Sequence, residues 1–212
     1  MKTRPRDKPS LPDYANLERL IFLVDGVFAI TLTLLVLELR PPEVDPAHLV
    51  DGLREMLPRL AIYLIAFYTI ANHWVVHQRA FRHITSLDTT MLWLTLAGLL
   101  FITLMPASTA IMGRYPGEKL ALACFSANSF LQALASWLFW AYVVRRRDQV
   151  ASQTDPDLLK ISAQVWLFIC LGWLVSFLLS FIYVNGAYIS WVLFPNLAAQ
   201  WARYRRRHLH GA

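Results

Sequence analysis

Residues 19–40 read RLIFLVDGVFAITLTLLVLELR. Between the two arginines the run is apolar or small apart from Asp25, Thr31, Thr33 and Glu38. A hydrocarbon core of about 30 Å is crossed by about 20 helical residues at roughly 1.5 Å each, so this stretch has the length and composition of a membrane helix. Asp25 lies inside it, six residues after Arg19. A carboxylate at membrane depth is costly unless another helix gives it a partner. Its presence therefore asks for a purpose.

The rest of the chain agrees with the membrane reading. Of 212 residues 57% are hydrophobic and only 16% charged, with a mean hydropathy of +0.42. Soluble domains average about 45–50% apolar and about 25% charged residues. The charges cluster near segment ends, which predicts an all-α integral membrane protein. The net charge of +6 is read as lysine and arginine retained on the cytoplasmic side rather than as a nucleic-acid surface, and no nucleic-acid partner is expected. Cys124 and Cys170 fall inside apolar runs, so they imply no disulfide framework. The basic start MKTRPRDK before an apolar run resembles a secretory signal. That run, however, is about 20 residues long, contains Asp25 and ends at LRPPE without a small-x-small cleavage site. It is expected to persist as a helix.

Six membrane spans are predicted, over residues 17–39, 58–76, 89–112, 119–144, 158–184 and 187–204. Arg40-Pro41-Pro42 stops the first. The acidic EVDPAHLVDGLREM ahead of the second predicts a short interfacial helix. Pro106 and Pro195 predict kinks, and Asn185-Gly186 predicts the tight turn between the last two spans. With the N-terminus inside, the inner segments hold Lys2, Arg4, Arg6, Lys8, Arg19, Arg79, Arg82, Arg145, Arg146, Arg147, Lys160, Arg203, Arg205, Arg206 and Arg207. The outer segments keep Arg40, Arg54, Arg59, Arg114 and Lys119. This three-to-one bias places both termini in the cytoplasm, in keeping with an even number of spans. The basic tail YRRRHLHG reads as a topology anchor near anionic lipid.

Enzymatic and filter-loop signatures are absent from the sequence. It has no Walker, G-x-S-x-G or H-E-x-x-H motif, no TVGYG-like loop, and no span with arginine at every third position. Neither catalysis nor a cofactor or resident metal is expected. His73 and His77 in NHWVVHQRAF share a helix face. They lack further ligands for zinc or haem, and are read as a polar contact reaching Asp25 or Arg19 from the neighbouring helix. Ser129, Gln132 and Ser136 fall on one face of the fourth span, with Ser126 and Asn128 nearby. A permeation stripe is one reading; interhelical hydrogen bonding is the commoner use of such residues.

At about 100° per residue, Leu34 lies about 40° from Ile30, and Leu37 about 20° to its other side. Gly26 and Arg19 share this sector and Thr33 is at its margin, whereas Asp25 points to roughly the opposite side. Arg19 and Asp25 therefore cannot pair within one straight helix, and Asp25 is expected at a packing interface. The Ile30–Leu34–Leu37 surface has two readings: a stripe facing lipid or another helix, or a pore wall. In the second, rings of branched side chains from several chains would block ions by dewetting. Periodicity does not decide between them.

Arg19, Asp25 and the following GVFAI-TLTLLVLEL resemble the first-helix signature of the transmembrane protein 175 family of potassium channels, R-x-x-x-F-S-D followed by G-V-F-A-I-x-x-T-L-L-V-L. Residues 72–81 resemble its second-helix pattern N-x-W-x-x-H-x-x-x-F. The resemblance extends over the six-span layout. It implies a potassium-permeable channel without a re-entrant filter loop, in which four chains of one six-helix unit form a homotetramer in a bacterial inner membrane and the first helices line the pore. By position it implies a constriction of Ile30, Leu34 and Leu37, Thr33 as a polar contact for a partly dehydrated K+, and a structural polar layer of Arg19, Asp25, Trp74 and His77. The chain departs from the motif at Leu23-Val24, where the family has Phe-Ser, so one hydroxyl of that layer is missing. Two rivals come from other classes. One is a proton-coupled secondary transporter using Asp25 and His77, against which stands the lack of an internal inverted repeat. The other is a non-transporting scaffold.

Overall fold

The computed structural model describes residues 11–146, 150–151 and 154–209. Of the basic residues that carry the orientation argument, Lys2, Arg4, Arg6, Lys8 and Arg147 lie outside these. The described chain is helical: α1 (Leu11–Leu34), α2 (Leu49–Phe81), α3 (Thr89–Thr103), α4 (Met105–Arg114), α5 (Lys119–Arg145), α6 (Pro156–Ile182) and α7 (Val184–Leu209). Short 3-10 segments at Leu35–Glu38 and Pro46–His48 extend α1 and precede α2.

Aspartates set several helix starts by accepting hydrogen bonds from the free amides of the first turn. Asp45 accepts from Ala47 N at 2.9 Å, Asp88 from Met91 N at 2.8 Å, and Asp155 from Asp157 N at 2.8 Å. Pro46 and Pro156 follow two of these caps, where proline's missing N–H removes no helical bond. The Asp45–Pro46 start explains one departure from the sequence reading. The acidic segment and the second span form one continuous helix, with Pro58 in its interior rather than at its start. The expected bend at Pro106 appears as an interruption at Leu104, after which Pro106 lies in the first turn of α4.

The last reversal also differs. The chain turns at Tyr183, the one residue between α6 and α7, which has an extended backbone. Asn185 and Gly186 already belong to the first turn of α7, where the amides of Gly186 and Ala187 bond to the Tyr183 carbonyl at 3.0 and 3.2 Å. Gly186 is there because a Cβ would sit 2.5 Å from the Tyr183 ring. A Cβ on Gly172 would likewise come within 2.5 Å of Phe194 Cβ. Since Gly172 and Phe194 are equally far from Tyr183 along the chain, α6 and α7 run antiparallel in close contact.

Five segments are long and apolar enough to cross a membrane among the described residues: Asn16–Glu38, Pro46–Arg79, Thr89–Arg114, Lys119–Arg145 and Pro156–Ile182. The helix α7 covers the sixth predicted span but is not one of these five. α5 is central, packing on α3, α4 and α6, and α6 carries α7. α1 lies at the margin of the bundle, against α2 and α3.

Candidate functional site

The site is built on α1, whose two faces have opposite surroundings. Leu17, Leu20, Val24, Phe28, Thr31 and Leu35 recur every three or four residues, the helical repeat, and all are buried within the chain. On the other side Arg19, Gly26, Thr33, Ile30, Leu34 and Leu37 are exposed. Ile30 and Leu37 retain 60% and 66% of their accessible surface. Among the described residues, nothing beyond the adjacent turns of α1 lies within 4 Å of where a Gly26 Cβ would stand. The Thr33 hydroxyl donates to Ile30 O at 2.8 Å, leaving its oxygen lone pairs free on the exposed side.

The end of this stripe departs from straight α-helical geometry. Residues Leu35–Glu38 wind as a 3-10 helix, closed by Leu39 N donating to Val36 O at 3.0 Å. At about 120° per residue, Leu37 falls in line above Leu34 instead of about 60° away from it. The stripe is straighter than the uniform angle implied.

Asp25 is half-buried at the boundary between the two faces. Its partner is Trp74 on α2, whose indole Nε1 donates to Asp25 Oδ1 at 2.9 Å. Asp25 and His77 also border one recess, together with Val24, Gln78 and Arg82. Arg19 is exposed and makes no ion pair or hydrogen bond among the described residues. The structure thus brings Asp25, Trp74 and His77 together and leaves Arg19 apart. At the position of the motif's serine, Val24 is only 1% exposed and belongs to the apolar core.

The two histidines part company. His77 stacks on Phe81, with ring centroids 4.2 Å apart, and approaches Phe28 of α1. His73 turns toward α5 rather than toward Asp25 or Arg19. Its Nε2 is hydrogen-bonded to Gln132 Nε2 and, at 3.1 Å, to Ser136 Oγ. Its ring packs between Phe28 and Trp166 of α6. A buried imidazole needs a partner, and the polar face of α5 provides it. The other α5 polar residues are likewise joined to neighbouring helices. Ser126 Oγ lies 2.9 Å from Ser176 Oγ, and Asn128 Nδ2 donates to Phe101 O at 3.0 Å. Ser129 Oγ reaches Met105 Sδ at 4.0 Å. The interhelical reading of these residues is the one the geometry shows. Sequence reasoning identified the residues but missed the pairing of His73 with Gln132, because residues 59 apart in the chain leave no periodic trace.

Comparison with known proteins adds a family to this geometry. Residues 19–106 match the family model described as "Endosomal/lysosomal potassium channel TMEM175". A Streptomyces collinus protein named as a potassium channel is 32% identical over 57% of this chain and 61% of its own length. A mouse protein named "Endosomal/lysosomal proton channel TMEM175" is 26% identical over 66% of this chain and 29% of its own. The crystal structure of a lysosomal potassium-selective channel TMEM175 homolog from Chamaesiphon minutus superposes with a TM-score of 0.76 at 25% identity, covering 89% of this chain and 98% of that one.

Proposed function

We propose that this chain is a member of the TMEM175 family, from its match to that family's model over residues 19–106 and its likeness to bacterial potassium channels, and that it forms a potassium-permeable channel without a re-entrant filter loop. Four copies assemble around an axis lined by their first helices, with α7 as a sixth crossing and both termini in the cytoplasm of a bacterial inner membrane. Ile30, Leu34 and Leu37 form the hydrophobic constriction. Thr33 offers oxygen lone pairs to a partly dehydrated K+. Asp25, Trp74 and His77 hold α1 against α2, and Arg19, which makes no such contact within the described part of its own chain, joins the polar layer at the cytoplasmic end only through a neighbouring copy.

The observation that carries this reading is the division of α1. Its buried face is satisfied inside its own chain, and the opposite face presents a row of branched side chains that the described residues leave exposed. Rings of such side chains exclude ions when narrow and pass them when widened. The test is flux from potassium-loaded vesicles containing the purified protein. Leu34→Ala and Ile30→Asn are each expected to raise the current or weaken discrimination against sodium. Unchanged flux in both variants would remove the pore assignment.

A second reading, proton-coupled transport through Asp25 and His77, is favoured by their shared recess and by the proton-channel name of the mouse relative. It requires flux that saturates with substrate and collapses with the proton gradient. An absence of any flux would instead favour a non-transporting scaffold.

A further inference from the structure

Three of the five basic residues on the side opposite the basic majority converge on one place. A recess of about 640 Å³ is walled by the turn after α1, by α2 and by the end of α4, and is lined by Arg40, Arg59 and Arg114 with Glu38, Tyr63 and Tyr115. None of the three guanidinium groups has a carboxylate within ion-pair distance among the described residues. Arg114 only overlies the Tyr115 ring, 6.0 Å from its centroid. Arg54, five residues before Arg59 on α2, behaves differently: it bonds to Asp51 at 3.2 Å and does not line the recess.

The depth of the recess gives the chemistry. Arg59 and Arg79 stand 20 residues apart on α2, about 30 Å of helix, which is the thickness of a hydrocarbon core. Arg59 therefore stands at one membrane boundary, the level of lipid phosphates, with the first turns of α2 rising beyond it as a wall. Arginines on this side oppose the usual retention bias, so topology gives no account of them. Three guanidinium groups against the single Glu38 carboxylate leave the concavity net positive, and a net positive concavity focuses anions into it. The planar guanidinium fork matches phosphate oxygens. The volume also falls within the roughly 300–1,000 Å³ of small-molecule sites.

We propose that this recess binds a phosphate-bearing anion at the membrane boundary. Arg40, Arg59 and Arg114 take its oxygens, and the Tyr63 and Tyr115 hydroxyls supply neutral donors at the edge. The same chemistry is available from the phosphodiester headgroup of an anionic lipid or from free phosphate. The proposal is independent of what, if anything, the chain conducts.

The test is binding to the full chain in neutral detergent, in two arms. One measures retention of phosphatidylglycerol by native mass spectrometry after exchange from phosphatidylcholine micelles. The other measures labelled inorganic phosphate by equilibrium dialysis without lipid. Binding in the first arm identifies the headgroup as the source, and binding in the second identifies the free ion. In whichever arm binds, affinity is expected to fall about fivefold for each arginine removed in Arg40→Gln, Arg59→Gln and Arg114→Gln, singly and together. Arg54→Gln is expected to leave it unchanged. Helical circular dichroism and elution volume report whether each variant is folded, and the single variants carry the test if the triple one is not. No binding in either arm, or an equal loss in Arg54→Gln, would overturn the site.

Discussion

The Trp74 indole and the Asp25 carboxylate meet at 2.9 Å, joining α1 to α2 across 49 residues of sequence. This bond gives the intramembrane carboxylate a donor where water is scarce. Trp74→Phe keeps the ring but removes the N–H. It is expected to cost about 1–3 kcal/mol, the penalty of leaving a buried polar group unmatched, read as a lower unfolding midpoint in detergent. Asp25→Ala is expected to shift the elution profile toward smaller species, and an unaltered oligomer would contradict its role in assembly.

The two faces of α1 can be told apart chemically. With the native cysteines replaced, Leu37→Cys is expected to form crosslinks between copies on mild oxidation, because its side chain is exposed. Leu35→Cys is expected to form none, since Leu35 is 0% exposed inside its own chain. The reverse pattern, read on a denaturing gel, would contradict the proposed assignment of the Ile30–Leu34–Leu37 face to contacts between copies.

Two glycines make a matched pair. At Gly172 an added Cβ meets Phe194 at 2.5 Å, whereas at Gly26 it meets nothing within 4 Å among the described residues outside its own helix turns. Gly172→Ala should destabilise the α6–α7 pair by about 1–3 kcal/mol as overpacking, read as a lower unfolding midpoint in detergent. Gly26→Ala should leave the isolated chain unharmed or stabilise it by up to about 1 kcal/mol through helix propensity. Any loss of assembly or flux in Gly26→Ala therefore reports a neighbouring copy at that surface.

His73 and Gln132 should behave as a unit. His73→Leu leaves the Gln132 amide short of a partner, and Gln132→Leu leaves the imidazole with Ser136 alone. Each single change is expected to cost about 1–3 kcal/mol, and the double change less than their sum. A double-mutant cycle in denaturant that came out additive would show that the contact contributes nothing to stability.

Much of this was legible in the sequence because hydrocarbon thickness, charge placement and helical period act on local runs. The positions of the first five spans, the interruption near Pro106 and the two-sided character of α1 follow from residues within one or two turns of each other. What escaped depends on capping competition and distant pairing. Asp45 and Pro46 open the 3-10 turn that leads into α2 at Leu49, upstream of Pro58, and Tyr183 reverses the chain where Asn185-Gly186 carries the stronger turn signal. Trp74, not a histidine, reaches Asp25. At i and i+1 on α2, Trp74 and His73 diverge by about 100°, so they face different helices, and packing alone settles which faces which.

The 3-10 turn at Leu35–Glu38 also makes the end of α1 a screw. Rewound as α-helix, its four residues would shorten by about 2 Å, and the three steps from Leu34 to Leu37 would untwist by about 60°. The root of the stripe, anchored through Asp25, need not move. A change of winding confined to one turn would carry Leu37 out of line with Leu34, so the last side chain of the stripe can be turned independently of those beneath it.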